Sequence, residues 1–186
     1  MDAAVERAMH VFWSLGYHGT SLPDLLAATH LSRGSLYAAF GDKHGLFLRT
    51  LDRYIDEAMA RLGSELDPRR DAVAGLRTCL AGYVERTRGV AGKRGCLVVA
   101  TAMELAAHDP EVEKRIRRFF KTMEAHVAAA LARAQLAGEL AEGIEPAVAA
   151  RIVLCLLEGV RVVGKANPGP AVSHAAVQLL IDRLVK

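Results

Sequence analysis

The chain has 186 residues, of which 52% are hydrophobic and 24% are charged, and its formal net charge is +3. This apolar fraction is too high for a disordered chain, and no charge-free run of about 18 apolar residues predicts a membrane-spanning helix. The three cysteines lie far apart, which excludes a disulfide framework and a Cys-x-x-Cys motif. The first residues lack the layout of a signal peptide. We therefore expect a cytoplasmic protein with no membrane association.

Apolar residues recur at helical spacing along almost the whole chain, and alanine, the strongest helix former, is abundant. Prolines, glycines and capping residues divide this pattern into segments, and none of the segments has the alternation of a convincing strand. The sequence predicts an all-α fold of about nine helices. They are expected over residues 2–15, 21–29, 32–39, 43–64, 70–89, 95–107, 109–137, 145–165 and 171–185.

The most specific pattern lies near the start of the chain, where short helices precede a long one. Ser21 and Ser32 are placed to cap two short helices that are separated by a tight turn. Such a pair, supported by the helix before it, is a helix-turn-helix, whose second helix enters the major groove of DNA. Its first residues here are Arg33, Gly34 and Ser35. Arg33 can donate two hydrogen bonds to guanine, Ser35 can pair with several bases, and Gly34 permits close approach.

Two segments of this region carry a family resemblance. They are Phe-Trp-Ser-Leu-Gly-Tyr-His-Gly-Thr-Ser-Leu over residues 12–22 and Leu-Ser-Arg-Gly-Ser-Leu-Tyr-Ala-Ala-Phe-Gly-Asp-Lys over residues 31–43. Together they resemble the DNA-binding signature of the TetR/AcrR family. The resemblance implies a homodimeric repressor that binds a palindromic double-stranded DNA operator and responds to a small-molecule effector. We expect a helix-turn-helix DNA-binding domain over residues 1–46 and a helical effector-binding and dimerisation domain over residues 47–186.

The resemblance also suggests DNA contacts beside the recognition helix. Thr20 and Ser21 lie at a helix start, where hydroxyls and free backbone N–H groups suit a phosphate. Tyr37 can donate its hydroxyl to a phosphate, and Lys43 adds its charge to the positive end of the next helix. Ser32 is a weaker candidate for a DNA contact because its side chain is placed to cap its own helix.

Two features of this region depart from the family pattern. The family usually has glycine at the position of His30, in the turn between the two helices, and we therefore predict a positive φ at His30.

Residues 1–50 contain four cationic and four anionic residues, so their net charge is zero. DNA affinity then has to come from local placement and helix dipoles rather than from bulk charge. The family often carries a basic arm before its first helix, and this sequence begins almost inside that helix.

Two helices near the end of the chain are joined by Asn-Pro-Gly-Pro over residues 167–170. A connection this short makes them antiparallel neighbours. Both are apolar around more than one narrow stripe, which leaves one face for the core and another for a partner subunit. The predicted dimer interface consists of Ile152, Leu156, Val160, Leu179 and Leu184. A purely intramolecular bundle is the alternative.

We expect an effector pocket among the helices of residues 70–165. The predicted lining residues are Cys96, Met103, Phe120, Met123 and Leu157. Because few polar groups belong to this set, the effector is expected to be largely apolar or electrophilic. Methionines and aromatic residues at helical spacing also fit a simple core. Cys96 should follow two cationic residues at a helix start, an environment that favours a thiolate, so a redox-sensing regulator switched through Cys96 is an alternative to a buried thiol.

Patterns for catalysis and for metal binding are weak. The segment from Glu104 to His108 has one residue too many for the Glu-x-x-His motif of di-iron proteins and has no mate, and the seven histidines are scattered. We therefore expect no enzyme activity, metal or cofactor. Residues 114–121 are basic, but glutamates four positions before two of the arginines favour a solvated helix face. The alternative function is a helical protein-interaction adaptor that uses this basic helix.

Overall fold

The computed structural model describes residues 1–166 and 170–186, so residues 167–169 of the predicted Asn-Pro-Gly-Pro turn lie outside the described residues. The described residues form ten helices and no strand, with one isolated β-bridge between Leu140 and Val185. The helices are α1 (Asp2–Gly19), α2 (Leu22–Thr29), α3 (Arg33–Phe40), α4 (Lys43–Glu65), α5 (Ala72–Glu85), α6 (Gly89–Arg94), α7 (Leu97–Leu105), α8 (Pro110–Leu136), α9 (Pro146–Ala166) and α10 (Pro170–Leu184). The predicted all-α class is confirmed.

No helix among the described residues combines the length and the apolar character that are needed to span a membrane.

Nine of the ten helices correspond to predicted segments, and the tenth is the short helix α6. Helix α5 ends at Glu85, earlier than predicted, and Gly89 with φ of 61° then begins α6. Gly95 with φ of 74° ends it. Because glycine reaches positive φ at little cost, these two residues allow the chain to leave helical geometry at both ends of α6.

The helices form two compact units. Unit 1 comprises residues 1–58 and 97–116, and unit 2 comprises residues 59–96 and 117–186. Fully buried side chains in unit 1 include Phe12, Leu25, Leu36, Phe47 and Leu51. Those in unit 2 include Leu76, Leu80, Met123, Leu131 and Leu157. The expected domain boundary at residue 46 stays a prediction.

A kink within α1 sets the approach to the helix-turn-helix. Gly16 has φ of 76° and ψ of 173°, and this conformation leaves the backbone N–H groups of Tyr17 and His18 without helical partners. The Glu104 carboxylate accepts hydrogen bonds from both, at 3.0 Å and 2.7 Å. A Cβ atom at Gly16 would lie 3.0 Å from a Glu104 oxygen. Glu104 therefore stabilises this turn by accepting the hydrogen bonds that the kink leaves without helical partners.

The predicted positive φ at His30 is confirmed. His30 has φ of 58° and ψ of 25° and follows the last residue of α2, and its backbone N–H donates to the Leu26 carbonyl at 3.0 Å. Among the described residues other than glycine, it alone has a positive φ. The left-handed residue lets α2 stop and α3 begin within a tight turn.

Substitution of His30 by glycine is expected to increase the free energy of unfolding by about 0.5 kcal/mol. The left-handed conformation strains a residue with a Cβ, and release of that strain exceeds the entropy that glycine adds to the unfolded chain. Urea titration of wild type and variant measures the difference. His30→Ala is the control, since it keeps the strained Cβ and should bring no gain. A less stable His30→Gly variant would contradict the interpretation of this turn.

Candidate nucleic-acid interface and ligand cavity

Helix α3 presents a polar face to solvent. The exposed residues of this face are Ser32, Arg33, Gly34, Ser35 and Tyr37. Leu36 points into the unit 1 core and is fully buried. The Ser32 Oγ accepts a hydrogen bond from the backbone N–H of Ser35 at 3.1 Å and so caps the helix. The structure thus brings five of the predicted DNA-binding residues together on one accessible surface.

Gly34 lacks a structural reason for being glycine. A Cβ atom built there would meet only the Ser32 Oγ at 4.0 Å, which is an ordinary contact. Its backbone has no positive φ that would exclude a side chain. Neither the surrounding packing nor the backbone conformation therefore requires glycine at this position.

The start of α2 is capped by a reciprocal pair. The Ser21 Oγ accepts from the backbone N–H of Asp24 at 3.3 Å, while the Asp24 carboxylate accepts from the backbone N–H of Ser21 at 2.9 Å. The Ser21 hydroxyl also donates to the Asp24 carboxylate, at 2.5 Å, and this hydrogen bond, together with the one from the Ser21 backbone N–H, lowers the pKa of Asp24 below its ordinary value. Both side chains are exposed, so Ser21 stays accessible, but it lies beside a carboxylate at the helix start.

The structure corrects the prediction for Thr20. Its side chain is only 1% exposed, and its hydroxyl donates to the Gly16 carbonyl at 2.6 Å. A hydroxyl that is buried and already bonded to a carbonyl is not available to a phosphate. The kink at Gly16 explains the difference, because it leaves a carbonyl for Thr20 to satisfy.

Lys43 is held at the start of α4. The Asp42 carboxylate caps this helix by accepting from the Gly45 backbone N–H at 2.7 Å. The Lys43 Nζ lies 4.5 Å from the centroid of the Tyr17 ring, which is a cation–π contact. Burial, together with the negative charges of Asp42 and Asp109, raises the pKa of Tyr17 above its ordinary value. The ring therefore stays neutral, and its face contacts the Lys43 ammonium group.

A second contact in unit 1 could not be found from the sequence. The His44 Nε2 and an Asp109 carboxylate oxygen are 2.6 Å apart, although the two residues are 65 positions apart in the chain. Asp109 also accepts from the backbone N–H groups of Glu111 and Val112 and so caps α8. Burial raises the pKa of Asp109, but the hydrogen bonds from Val112, His44 and Glu111 outweigh it and lower the value. The Asp-Pro pair at the helix start was the only sequence feature that indicated the role of Asp109 as a cap.

Unit 2 contains a cavity of about 630 Å³ between α8 and α9. It is lined by Arg117, Phe120, Lys121 and Glu124 of α8 and by Arg151, Leu154, Cys155 and Glu158 of α9. Of the five residues predicted to line an effector pocket, this cavity includes Phe120 alone. Its volume falls within the range of small-molecule sites.

The other four residues were predicted to line the pocket, and their exposure or burial contradicts that prediction. Met103 is 85% exposed on α7, so its side chain lines no enclosed space. Met123 and Leu157 are fully buried in the unit 2 core, where the Tyr83 hydroxyl donates to the Met123 Sδ at 3.3 Å. Cys96 is 8% exposed and does not line the cavity. Its thiol donates a hydrogen bond to the Glu158 carboxyl.

A set of exposed apolar side chains lies on α9 and α10, which contact each other. We call it the exposed stripe, and it consists of Val148, Ile152, Val162 and Val163 on α9 and Leu179 on α10. Two of its members, Ile152 and Leu179, were predicted interface residues and are 50% and 60% exposed. Leu156 is half-buried beside them. Val160 and Leu184 are buried within the chain, so their predicted place in an interface is corrected.

Comparison with known families gives two matches. Residues 4–50 match the family described as bacterial regulatory proteins, tetR family. Residues 72–180 match the family described as tetracyclin repressor-like, C-terminal domain. The first match covers most of α1, all of α2 and α3 and the start of α4, and the second covers the cavity and the exposed stripe.

Individual proteins agree with these matches. The uncharacterized HTH-type transcriptional regulator YezE of Bacillus subtilis (strain 168) is 32% identical over 73% of this chain and 70% of its own length. The HTH-type transcriptional repressor ComR of Escherichia coli (strain K12) is 28% identical over 87% of this chain and 77% of its own length. Among solved structures, a cysteine-substituted form of the TetR-family regulator CifR, complexed with 26-base-pair double-strand operator DNA, superposes with a TM-score of 0.86. That match has 28% identity and covers 99% of this chain and 96% of the other.

Proposed function

Because this chain belongs to the TetR family of bacterial transcriptional regulators, we propose that it is a repressor that binds a palindromic DNA operator as a homodimer and leaves it when a small effector binds. The observation that carries the proposal is the exposed polar face of α3, which follows the left-handed turn at His30. The solved CifR complex with operator DNA, a protein of the same fold, supports the DNA-binding part.

The recognition helix reads sequence in the major groove. Arg33 lies at the first position of α3 and is exposed, so its guanidinium can reach a guanine edge. Ser35 and the backbone at Gly34 approach neighbouring bases, while Tyr37, which is 44% exposed, reaches a phosphate. In a two-fold dimer, the second copy of α3 enters the next major groove, about 34–36 Å away.

The exposed stripe is the proposed dimer interface. Monomeric proteins rarely expose a contiguous apolar surface of more than a few hundred Å², and α9 and α10, which contact each other, both carry exposed apolar side chains. In an isologous interface, the same patch on a second copy of the chain packs against it. A dimer is also what a palindromic operator requires, because one short recognition helix reads only half of the site.

The cavity between α8 and α9 is the proposed effector site. Its apolar lining from Phe120 and Leu154 suits a largely apolar molecule. Effector binding would favour a dimer geometry in which the recognition helices no longer match successive major grooves. This is a population shift, and it requires that the effector binds one geometry more tightly than the other.

The same family membership supports a regulatory rather than a catalytic role. YezE and ComR carry the names of transcriptional regulators. We propose that the protein acts on DNA in the cytoplasm and that it has no enzyme activity.

Removal of the Lys43 charge is expected to weaken binding to every DNA sequence to a similar degree. Its ammonium, fixed above the Tyr17 ring at the start of α4, is placed to neutralise a phosphate. Lys43→Ala should reduce the slope of log affinity against log salt by about one per subunit. Titrations of operator and random DNA at several salt concentrations measure both effects. A loss confined to the operator would contradict a phosphate contact.

Selection of bound sequences from a random DNA pool tests the proposed function directly. A DNA-reading dimer should enrich a palindrome whose half-sites lie about one helical turn apart. Failure to enrich any sequence would overturn the proposal and favour the protein-interaction adaptor instead.

A further inference from the structure

The end of α1 depends on a side chain from a distant part of the chain. Gly16 has φ of 76° and ψ of 173°, a conformation that is essentially confined to glycine. It leaves the backbone N–H groups of Tyr17 and His18 without helical acceptors, and both donate to the carboxylate of Glu104 on α7. These two hydrogen bonds, of 3.0 Å and 2.7 Å, lie within unit 1 and join segments that are 87 and 86 positions apart.

Tyr17 connects this turn to Lys43, the proposed phosphate contact at the start of α4. The centroid of the Tyr17 ring lies 4.5 Å from the Lys43 Nζ and 4.9 Å from the centroid of the Phe47 ring. The ring can hold the ammonium group in place only while the backbone that carries the ring is itself held. The Glu104 carboxylate holds that backbone through the Tyr17 N–H group. One residue, Tyr17, therefore links Glu104 to the phosphate contact.

The negative charge of Glu104 has two opposite consequences for DNA binding. A backbone N–H group donates a stronger hydrogen bond to a carboxylate than to a neutral acceptor, so the charge strengthens the turn after Gly16. DNA is a polyanion, so the same charge in the unit that carries the recognition helix lowers the general affinity for DNA. Removal of the charge therefore strengthens DNA binding if only electrostatics matters, and weakens it if the turn matters more.

We propose that Glu104 is a positioning residue for DNA binding, which fixes the Tyr17 ring against the Lys43 ammonium by accepting the N–H groups of Tyr17 and His18. Glu104 acts through Tyr17 and does not itself contact DNA. The inference rests on the proposed function, since it adds a residue of α7 to those that determine the affinity for DNA.

Titration of the full-length protein with a random-sequence DNA duplex tests the direction of the effect. Glu104→Ala should lower the affinity about tenfold. It should also reduce the slope of log affinity against log salt by about one per subunit, as in Lys43→Ala. Equal or tighter binding by Glu104→Ala would overturn the proposal, and so would a loss of affinity with an unchanged salt slope.

Glu111→Ala is the matched control for the loss of a negative charge. Glu111 lies in the same unit, is exposed, and forms an ion pair of 3.8 Å with Arg115. Its removal should leave the affinity for the random duplex unchanged or increase it, because no turn depends on its side chain. A tenfold loss in this control as well would show that the effect is not specific to Glu104, and would overturn the proposal.

A double variant separates positioning from a general loss of stability. If Glu104 acts by placing Lys43, then Lys43→Ala removes the group that Glu104 serves. The combination of Glu104→Ala with Lys43→Ala should therefore bind the random duplex within about threefold of the weaker single variant. Two independent effects of about tenfold would instead multiply to a loss of about a hundredfold, and this outcome would overturn the proposal.

Hydrogen exchange measures the turn itself. In Glu104→Ala, the amides of Tyr17 and His18 should exchange about tenfold faster than in wild type, while the buried helices keep their protection. If the alanine variant does not fold, Glu104→Gln replaces it in both measurements. Its amide oxygen can accept one of the two N–H groups, so we expect changes of about threefold in exchange and in affinity. Unchanged exchange at both residues would overturn the proposal.

The same measurements separate this inference from the proposed function. If wild type enriches a palindrome from random DNA but Glu104→Ala binds as tightly as wild type, the positioning role is wrong and the DNA-binding role stands. If no palindrome is enriched but Glu104→Ala loses affinity for the random duplex as Lys43→Ala does, the positioning role stands and the sequence-specific role is wrong.

Discussion

Replacing Ile152 with glutamate is expected to convert the dimer to monomers and to reduce affinity for the full palindrome by at least about a hundredfold. Ile152 is 50% exposed in the single chain and lies within the exposed stripe between Val148 and Val163. An apolar interface would bury the new carboxylate without a partner, and the desolvation of an unpaired charge costs several kcal/mol. Operator affinity depends on dimerisation because the two recognition helices are linked only through it.

Sedimentation equilibrium measures the oligomeric state, and DNA titration measures operator affinity. Leu136→Glu is the matched control, since Leu136 is 90% exposed in the same unit but lies outside the exposed stripe. This control should remain dimeric and bind the operator like wild type. An Ile152→Glu variant that stays dimeric would place the interface elsewhere on the protein.

Local features of the fold could be predicted from the sequence because they depend on a few neighbouring residues. Ser21 and Ser32 each cap the helix that follows them, as their positions before helical patterns indicated. The turn at His30 has the left-handed conformation that the family resemblance implied, because the family usually has glycine at this position. The exposed and buried faces of α3 followed from helical periodicity around Leu36.

Features that depend on packing between distant segments were predicted less well. On a helix that advances about 100° per residue, Val160 lies about 80° from Ile152, and Leu184 lies about 140° from Leu179. Each pair spans the edge between the exposed and the buried face of its helix, and the sequence does not show which member faces the core. The cavity depends on how α8 packs against α9, two helices that the Arg151–Glu124 ion pair joins across 27 positions of the chain. Thr20 was wrongly predicted to contact DNA because its hydroxyl donates to the Gly16 carbonyl at the kink, a contact that the sequence does not indicate.

Truncation of Arg33 to alanine should relax base preference at one position in each half-site and cost about 1–3 kcal/mol per half-site, or about 2–6 kcal/mol for the dimer. Arg33 begins α3, is exposed, and has no hydrogen-bond or ion-pair partner among the described residues. Its guanidinium is therefore available to form two parallel hydrogen bonds with guanine, a geometry that no other side chain at this helix start can supply. The neighbouring Ser35 hydroxyl already shares a hydrogen bond with Ser32.

Arg33→Lys provides the discriminating control. Lysine keeps the positive charge but lacks the planar fork, so it should recover much of the general DNA affinity and little of the base preference. Affinities for the operator, for an operator changed at the contacted base and for random DNA, all at one salt concentration, separate the two terms. If Arg33→Ala lowers all three affinities equally, Arg33 contacts a phosphate. Sequence reading would then depend on Ser35 and on the deformability of the operator itself.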